Sequence, residues 1–493
     1  MSPDDLTALD VATTRDRLRA GTVSALALAE ASLARIAALD ARLGAFLTVD
    51  APGALAAAAA LDARLAQGDR LDDLPLAGVT VAVKDAFCTD GLRTTCGSRM
   101  LEGFVPPYDA TAVARLRSAG AIVVGKANMD EFSMGSSTER SAFFPARNPW
   151  NLAHTPGGSS GGVAAAVSAR LAAVGLGSDT GGSVRQPAAL TGLVGLKPTY
   201  GRVSRYGLVA FASSLDVVSP IARTVADCAA LYAVLAGPDP RDATCHQGPV
   251  DPPSLGRPGA LLGLRVGVPA EYLGEGVEAS VRDRVHEALG AMEAAGAVLV
   301  PLSMPSTAEA LASYYVLCPA EASSNLARYD GVRYGLRVEG PGPRADLRAM
   351  VEATRRAGFG PEVQRRIVLG TFVLSAGQFD AYYAQAVRAR GRIAAEFAAV
   401  FASVDVLAAP TAPTEAFALG AHLDDPVAMY RADVCTLPAS LAGVPAASVP
   451  VGLGAAGLPV GLQLMAPAYA EARLLEICYA VEALVGRVHP PEP

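Results

Sequence analysis

Two glycine-flanked serine clusters are the strongest chemical signal in the sequence. They are Gly157–Gly162, which reads Gly-Gly-Ser-Ser-Gly-Gly, and Gly181–Ser183, which reads Gly-Gly-Ser. Glycine permits positive φ and close backbone approach, so each cluster predicts a tight loop whose N–H groups can face a ligand. We interpret the two loops as bringing together two serines, one of which is a nucleophile.

A serine nucleophile needs a base, and the histidines do not supply an obvious one. The sequence has five, none in a patterned motif, although the first lies close to the first serine cluster: His154, His246, His286, His422 and His489. Lysine is the alternative base. Lys84 follows the apolar run Val79–Val83. Taken alone, such a lysine is expected to reach solvent, but burial would lower its pKa and make it a neutral base.

Together these residues predict acyl-transfer chemistry. Lys84 would accept a proton, one serine of the first cluster would relay it, and Ser183 would attack the substrate. The backbone of Thr180–Ser183 would donate hydrogen bonds to the oxyanion, and each such donor contributes about 3–4 kcal/mol in comparable sites. Metal catalysis is not indicated, because no group of His, Asp and Glu has ligand spacing.

The elements around these residues indicate an α/β fold with buried strands covered on both faces. Strands are predicted at 79–84, 120–127, 173–176, 264–268, 297–300, 405–409, 446–449 and 460–465. Helices are predicted at 54–66, 163–172, 184–190, 277–295, 388–401 and 470–485. The run 120–127 partly matches a phosphate-binding loop, but its apolar middle favours a strand. The loop 128–140 that follows is expected to line the same pocket as the serines.

The order of the predicted helices and strands divides the chain into four segments. Residues 1–70 are predicted to be an N-terminal helical layer of the same domain, and residues 71–305 form the core with both serine clusters. Residues 306–402 are predicted to be a mostly helical insertion over one edge of the sheet, and residues 403–493 return to the core. A proline- and glycine-rich stretch at 237–260 marks a surface connection.

Composition limits the classes of partner and compartment. The net charge of −7 argues against a protein that grips a phosphate backbone alone, so another chain would carry most contacts to any nucleic acid. The seven scattered cysteines lack CxxC spacing and indicate reduced thiols in the cytoplasm. No secretory signal is visible, and prolines interrupt the uncharged stretch 434–470, so we expect a soluble chain.

The chain resembles the amidase signature family in the run Gly157–Pro198 and in Val83–Asp85. Further motifs, spread over nearly the whole chain, resemble the branch of that family that supplies ammonia to tRNA-dependent amidotransferases: Met100–Pro106, Asn128–Phe132, Lys197–Arg205, Phe211–Asp216, Glu271–Val277 and Glu321–Leu326. The resemblance implies an amidase-signature fold, in which helices cover both faces of a large mixed central sheet and a helical insertion is added.

The resemblance also implies roles for single residues. Lys84, Ser159 and Ser183 match the family's Ser–cis-Ser–Lys triad, with Ser183 as nucleophile and Ser159 after a cis bond. Ser160 matches the serine beside the relay. Backbone N–H groups of Thr180, Gly181, Gly182 and Ser183 match the oxyanion hole.

Three residues far from the serine clusters match the branch's glutamine-binding set. Arg366 would pair with the α-carboxylate, Asp433 with the α-ammonium group, and Tyr314 would lie beside the substrate. From residue type alone, ordinary alternatives stay open: a solvated helix face for Arg366, a core position for Tyr314 or Tyr315, and a helix cap or surface carboxylate for Asp433.

The partners are likewise implied by the resemblance. The chain would hydrolyse glutamine within a heterotrimer with B and C subunits, for Glu-tRNA(Gln), Asp-tRNA(Asn) or both. This chain would bind no cofactor or metal, whereas ATP and Mg²⁺ would act on the partner subunit. Two other functions stay open: a free-standing amidase for other small amides, and a non-catalytic binding subunit on the same fold.

Overall fold

A computed structural model describes residues 3–68, 70–339 and 346–491. Eleven strands form one sheet in the described residues: β1 (Phe46–Val49), β2 (Thr80–Lys84), β3 (Ile122–Ala127), β4 (Val174–Asp179), β5 (Val194–Lys197), β6 (Val217–Ala222), β7 (Arg265–Pro269), β8 (Val298–Leu302), β9 (Val406–Pro410), β10 (Ala446–Leu453) and β11 (Pro459–Met465). Their order is β1-β3-β2-β4-β6-β5-β10-β11-β9-β7-β8.

The sheet is mixed, as predicted. The pairs β3/β2, β2/β4, β9/β7 and β7/β8 are parallel, and the other neighbours are antiparallel. The parallel group β3-β2-β4 matters most for the site. Because parallel strands end at one edge of a sheet, the residues after their carboxyl ends are brought together.

Sixteen α-helices accompany the sheet in the described ranges. They are α1 (Pro3–Thr7), α2 (Val11–Arg19), α3 (Ala25–Leu43), α4 (Ala51–Ala66), α5 (Thr111–Ser118), α6 (Gly161–Ser168), α7 (Arg185–Leu190), α8 (Val225–Leu235), α9 (Ala279–Ala294), α10 (Ala310–Asn325), α11 (Leu347–Gly358), α12 (Pro361–Val373), α13 (Tyr383–Val400), α14 (Pro426–Arg431), α15 (Leu437–Ala442) and α16 (Glu471–Val485).

Helices cover both faces of the sheet, and strand alternation shows it directly. On β2, Val81 and Val83 join a core shared with α5, α8, α9 and α16. Ala82 faces the other way, into a core shared with α3, α4 and α6. On β9, Val406 packs into the first of these cores. Leu407 packs with α10, α12 and α13. Strands buried on both faces can therefore be uniformly apolar.

Helices α10–α13 lie over one edge of the sheet, as predicted, but they also cover strands further inside it. Residues 306–402 are largely helical, as expected, but their core includes Ala409, Ala446 and Met465 of β9, β10 and β11. These three strands lie inside the sheet, and Val300 and Leu302 of the outermost strand β8 pack against the same core. The helical segment covers a face, and this places it over the end of the sheet where the serine loops lie.

The structure has three strands that are not predicted, β1, β5 and β6, and its β4 is longer than predicted. β1 is not predicted, because its four residues lie between two helices and are recognisable only by their antiparallel pairing with β3. β4 continues past residue 176 to Asp179, because Ser178 and Asp179 pair with Val218 and Val217 of β6. Backbone pairing thus extends the strand through polar residues that carry no apolar pattern.

Two findings concern the length of the apolar helices and the state of the cysteines. Over residues 3–68, 70–339 and 346–491, no helix combines the length and apolar character that crossing a membrane requires. All seven cysteines are buried and unpaired with one another: Cys88, Cys96, Cys228, Cys245, Cys318, Cys435 and Cys478.

Candidate active site

Lys84 is fully buried at the carboxyl end of β2, so the expectation that it reaches solvent is wrong. Its Nζ atom lies 2.7 Å from Ser159 Oγ and 3.0 Å from Ser178 Oγ. Burial lowers the pKa of Lys84 to about 7, although the charges of nearby carboxylates, Asp130 first among them, oppose the shift. A neutral amine is therefore available next to a serine hydroxyl near neutral pH.

Ser159 lies in the loop before α6, after a cis peptide bond to Gly158 as the resemblance implied. The loop is packed tightly against 128–140. A Cβ atom on Gly158 would lie 2.1 Å from Asp130 Oδ2 and 2.6 Å from Ser137 N. The Gly158 N–H donates to Gln186 Oε1 at 3.0 Å, and Gln186 Nε2 donates to the Ser136 carbonyl at 2.9 Å. Loop 128–140 therefore packs against the loop that carries Ser159, and its lining of a substrate pocket stays a prediction.

Ser183 lies on the turn between β4 and α7, beside the first serine loop. The Ser160 N–H donates to the Ser183 carbonyl at 3.1 Å, which joins the two glycine-flanked clusters directly. Ser183 is 8% exposed whereas Ser159 is completely buried. This difference suits a relay inside the protein and a nucleophile that meets the substrate.

Asp179 holds the turn that carries Ser183. Its Oδ1 accepts the Gly182 N–H at 2.9 Å, and its Oδ2 accepts the N–H groups of Val184 and Arg185 at 3.2 Å each. The Gly182 N–H is therefore already hydrogen-bonded to Asp179, contrary to the prediction that it donates to the oxyanion. The amides of Thr180, Gly181 and Ser183 remain as the donors that could face an oxyanion.

Arg185 anchors this turn to a distant segment. Its guanidinium bonds both oxygens of Asp179, at 3.0 and 2.9 Å, and both side chains are completely buried. It also donates to the Thr436 carbonyl at 3.0 Å and to Ser440 Oγ at 2.8 Å. Burial would raise the pKa of Asp179, but the charge of Arg185 outweighs it and lowers that pKa.

Arg366 is buried on α12, so the solvated helix face considered for it is wrong. Its Nε donates to Glu362 Oε1 at 2.8 Å. Its guanidinium carbon lies 5.2 Å from the ring centroid of Tyr315 and 5.3 Å from that of Tyr430. Tyr430 also donates its hydroxyl proton to Glu362 Oε1, at 2.8 Å. The guanidinium is thus fixed through its Nε and its faces, while its two terminal nitrogens form the end suited to a carboxylate.

Asp433 is also buried, which excludes a surface carboxylate. Its Oδ2 accepts a hydrogen bond from Ser136 Oγ at 2.5 Å. Its Oδ1 is buried and has no hydrogen-bond partner in the described part of the chain. Burial raises the pKa of Asp433 to about 7. A buried carboxylate oxygen left without a donor is an expected partner for a cationic ligand.

Tyr314 and Thr436 pack against the turn that carries Ser183. A Cβ atom on Gly181 would lie 2.6 Å from Tyr314 Cζ, and one on Gly182 would lie 2.2 Å from Thr436 Oγ1. The Thr436 hydroxyl is also 2.6 Å from the Gly181 carbonyl oxygen, to which it can donate. Only glycine fits at both positions, because side chains from two other elements press against this turn.

Comparison with known proteins agrees with this geometry. The family model described as Amidase matches residues 27–475, most of the chain. The chain belongs to the amidase family. It is 56% identical over 469 residues to the A subunit of glutamyl-tRNA(Gln) amidotransferase from Roseiflexus sp. (strain RS-1), covering 95% of each chain. It is 54% identical over 467 residues to the protein of the same name from Moorella thermoacetica, covering 95% of this chain and 94% of the relative.

Solved structures show the same amidase fold. The A subunit of glutamyl-tRNA(Gln) amidotransferase from Thermotoga maritima superposes with a TM-score of 0.78 at 40% identity, over 100% of this chain and 98% of the other. The peptide amidase of Stenotrophomonas maltophilia superposes with a TM-score of 0.80 at 33% identity, over 98% of each chain.

Sequence reasoning missed several polar residues that support this amidase site. Asp130, Ser178, Asp179 and Gln186 all lie within or beside motifs that the sequence analysis singles out, yet none is assigned a role there. The available signal is an acidic or amide side chain next to glycine-rich or apolar segments, as in Asp130 and Asp179. That signal marks such residues as unexpected in an apolar or glycine-rich segment. It does not show which backbone N–H groups their side chains accept.

Proposed function

We propose that this amidase is the glutamine-hydrolysing subunit of a tRNA-dependent amidotransferase. The observation that carries the proposal is the convergence of two sets of buried groups on one turn. Lys84 donates to the Ser159 hydroxyl, and the next residue, Ser160, donates its N–H to the Ser183 carbonyl. Tyr314 and the segment that carries Asp433 approach the same turn. The names of the curated relatives support the same proposal.

The proposed reaction proceeds through an acyl-enzyme. Ser183 Oγ attacks the side-chain amide carbon of glutamine while its proton passes to Ser159, whose own proton passes to neutral Lys84. The tetrahedral intermediate collapses, the proton returns along the same path to the leaving nitrogen, and ammonia departs. Water, deprotonated by the same relay, then attacks the ester to release glutamate and restore Ser183.

Glutamine selection would come from its α-substituents. The terminal nitrogens of Arg366 would bind the α-carboxylate in a bidentate pair. Asp433 would bind the α-ammonium group through its unpartnered Oδ1. Neither group is needed to hydrolyse a simple amide, and burying an unmatched charge is costly. This favours glutamine over the alternative of a free-standing amidase for other small amides.

The ammonia would be used elsewhere in a heterotrimer. We propose that it passes to a B subunit, where ATP and Mg²⁺ activate Glu-tRNA(Gln), Asp-tRNA(Asn) or both, and that a C subunit completes the complex. This chain would bind no cofactor of its own. The cytoplasm is the proposed location, which suits seven free thiols.

The test separates glutamine hydrolysis from amide transfer. Ser183→Ala should abolish glutamine-dependent amidation of misacylated tRNA by the complex, while added ammonium chloride still supports it. Ser160→Ala is the matched control, because the Ser160 hydroxyl donates to the Ser178 carbonyl at 3.2 Å and is given no step in the proposed relay. Glutaminase activity retained by Ser183→Ala would refute the assignment of the nucleophile. A chain that hydrolyses glutamine but co-purifies with no other subunit would favour the free-standing amidase, and one without hydrolytic activity would favour a binding subunit.

A further inference from the structure

Glu131 is a buried carboxylate that the proposed reaction does not use. It lies in loop 128–140, directly after Asp130, and is 2% exposed. Its Oε1 accepts the Ser98 hydroxyl proton at 2.5 Å, and its Oε2 accepts the Gly360 N–H at 2.8 Å. Burial raises the pKa of Glu131 to about 7, so holding a charge there has a cost. Such a group calls for a physical explanation.

Gly360 is the N-cap residue of α12, the helix that carries Arg366. As glycine it has no side chain with which to cap the helix, and Pro361 has no N–H. Glu131 therefore acts from another segment as the glutamate of a capping box does, by accepting the N–H of the N-cap residue. Its negative charge also lies at the favourable end of the helix dipole.

Glu131 and Gly360 are in close contact, and the residues next to them also pack together. A Cβ atom on Gly360 would lie 2.5 Å from Glu131 Oε2, so a larger residue would displace the carboxylate. Phe132, the next residue after Glu131, packs with its ring centroid 5.8 Å from that of Phe359, the residue before Gly360. The start of α12 is thus held against loop 128–140 by a hydrogen bond and an aromatic pair.

Asp130, the residue before Glu131, holds the opposite side of the same loop. It accepts the N–H groups of Thr138 and Arg140 at 2.9 and 3.0 Å, and it packs against Gly158 beside the relay serine. Two adjacent carboxylates therefore contact two different parts of the site. One borders the relay loop and the other borders the helix that carries Arg366.

We propose that Glu131 is a positioning residue for substrate selection, which holds the start of α12 so that Arg366 meets the carboxylate of the substrate. The inference rests on the proposed function, because it assigns Arg366 to the α-carboxylate of glutamine. Glu131 acts on recognition through this helix and takes no part in the proton relay.

The experiment compares glutamine with 4-aminobutanamide, which keeps the amide and the amine but lacks the carboxylate. Ammonia release is measured with the full chain, together with any subunits that co-purify with it. Glu131→Ala should raise KM for glutamine about tenfold, which corresponds to about 1.4 kcal/mol, with little change in kcat. The same variant should leave kcat/KM for 4-aminobutanamide unchanged.

Two further variants separate positioning from simple loss of structure. Glu131→Gln should keep nearly normal KM, because its amide oxygen can still accept the Gly360 N–H. Gly360→Ala should raise KM as Glu131→Ala does, since the new methyl group displaces the carboxylate. Gly290→Ala is the matched control, because a Cβ atom there has no neighbour within 4 Å. The double variant Glu131→Ala/Gly360→Ala should resemble Glu131→Ala alone.

The outcomes distinguish this inference from the proposed function. Equal losses on both substrates, a fall in kcat at constant KM, or wild-type kinetics in Glu131→Ala would overturn the positioning role. If Glu131→Ala does not fold, Gly360→Ala and Glu131→Gln decide the question by the same comparison. A wild-type protein without glutaminase activity would instead refute the proposed function.

Discussion

Lys84 illustrates how burial can turn a lysine into a base. Its amine is removed from water at the end of β2, and the resulting desolvation favours the neutral form. Asp130, Asp179 and Asp216 oppose this shift, but they do not reverse it. The proposed relay therefore needs no histidine to deprotonate a serine.

The pH dependence of glutamine hydrolysis follows from that pKa. The pKa of Lys84 is lowered from 10.5 to about 7, so the neutral form increases as pH rises through about 7. We expect kcat, measured at saturating glutamine between pH 5.5 and 9 (a range chosen to bracket that pKa), to rise through this region and then reach a plateau. Ionisation of Asp433, whose pKa is also about 7, should act on KM, because Asp433 is the proposed partner of the α-ammonium group of glutamine.

A variant provides the control for this assignment. Lys84→Arg keeps a permanent positive charge and should lower kcat by about 10³-fold at every pH, since a general base typically contributes 10²–10⁴-fold. A wild-type profile that is flat between pH 6 and 8 would contradict Lys84 as the proton acceptor, because that interval spans the pKa of about 7.

At the scale of elements, the Asp179–Arg185 pair connects β4 and α7 to the segment that carries Asp433. Both side chains are completely buried, and removing one partner of such a pair leaves an uncompensated charge. Arg185→Met should therefore lower the free energy of unfolding by about 3–5 kcal/mol, as measured by urea denaturation. Adding Asp179→Asn should recover part of the loss, because it removes the buried charge.

A surface ion pair provides the comparison. Arg265 and Asp405 approach within 2.8 Å, but their side chains are 46% and 38% exposed. Arg265→Met should cost less than about 1 kcal/mol, because solvent screens the pair. Equal losses from the two arginine substitutions would show that the Asp179–Arg185 pair contributes no more than a surface contact.

The elements also show which parts of the site the sequence can predict. β2, β3 and α6 follow from apolar periodicity, and the family resemblance selects Lys84, Ser159 and Ser183 from among many polar residues. The contacts of the carboxylates that support these residues cannot be predicted in the same way. Asp130 and Glu131 are adjacent in sequence, but their partners are the Gly158 loop and Gly360. Only the packing of distant segments decides which amide a carboxylate can reach, and local periodicity carries no information about it.

The lack of information about distant packing also explains why the position of residues 306–402 on the sheet was predicted only in part. The helicity of residues 306–402 is visible in the sequence, but the strands that they cover are not. Helices α10, α12 and α13 pack on the inner strands β9, β10 and β11 as well as on the outermost strand β8, and α10 and α12 carry Tyr314 and Arg366. The prediction of their roles therefore depended on the resemblance and could not have come from the predicted topology.

At the scale of the whole molecule, the net charge favours tRNA binding by the proposed partners and not by this chain. A protein that binds tRNA by itself needs many cationic contacts to phosphates, and this chain has a net charge of −7. The cations that line the site serve other purposes: Arg185 pairs with Asp179, and Arg366 is enclosed by aromatic rings. Neither of these two is available to a nucleic acid.

We therefore expect the isolated chain to bind tRNA weakly and the assembled complex to bind it tightly. Fluorescence anisotropy with labelled tRNA at about 150 mM salt should give a Kd no tighter than roughly 100 μM for the chain alone, the weak end of non-specific binding. The complex should bind at least about a hundredfold more tightly, a difference of about 2.7 kcal/mol. A complex assembled with Ser183→Ala should keep this affinity, because Ser183 is buried among the loops of the candidate site. Tight, strongly salt-dependent binding by the isolated chain would instead place the tRNA-binding surface on this chain, despite its negative charge.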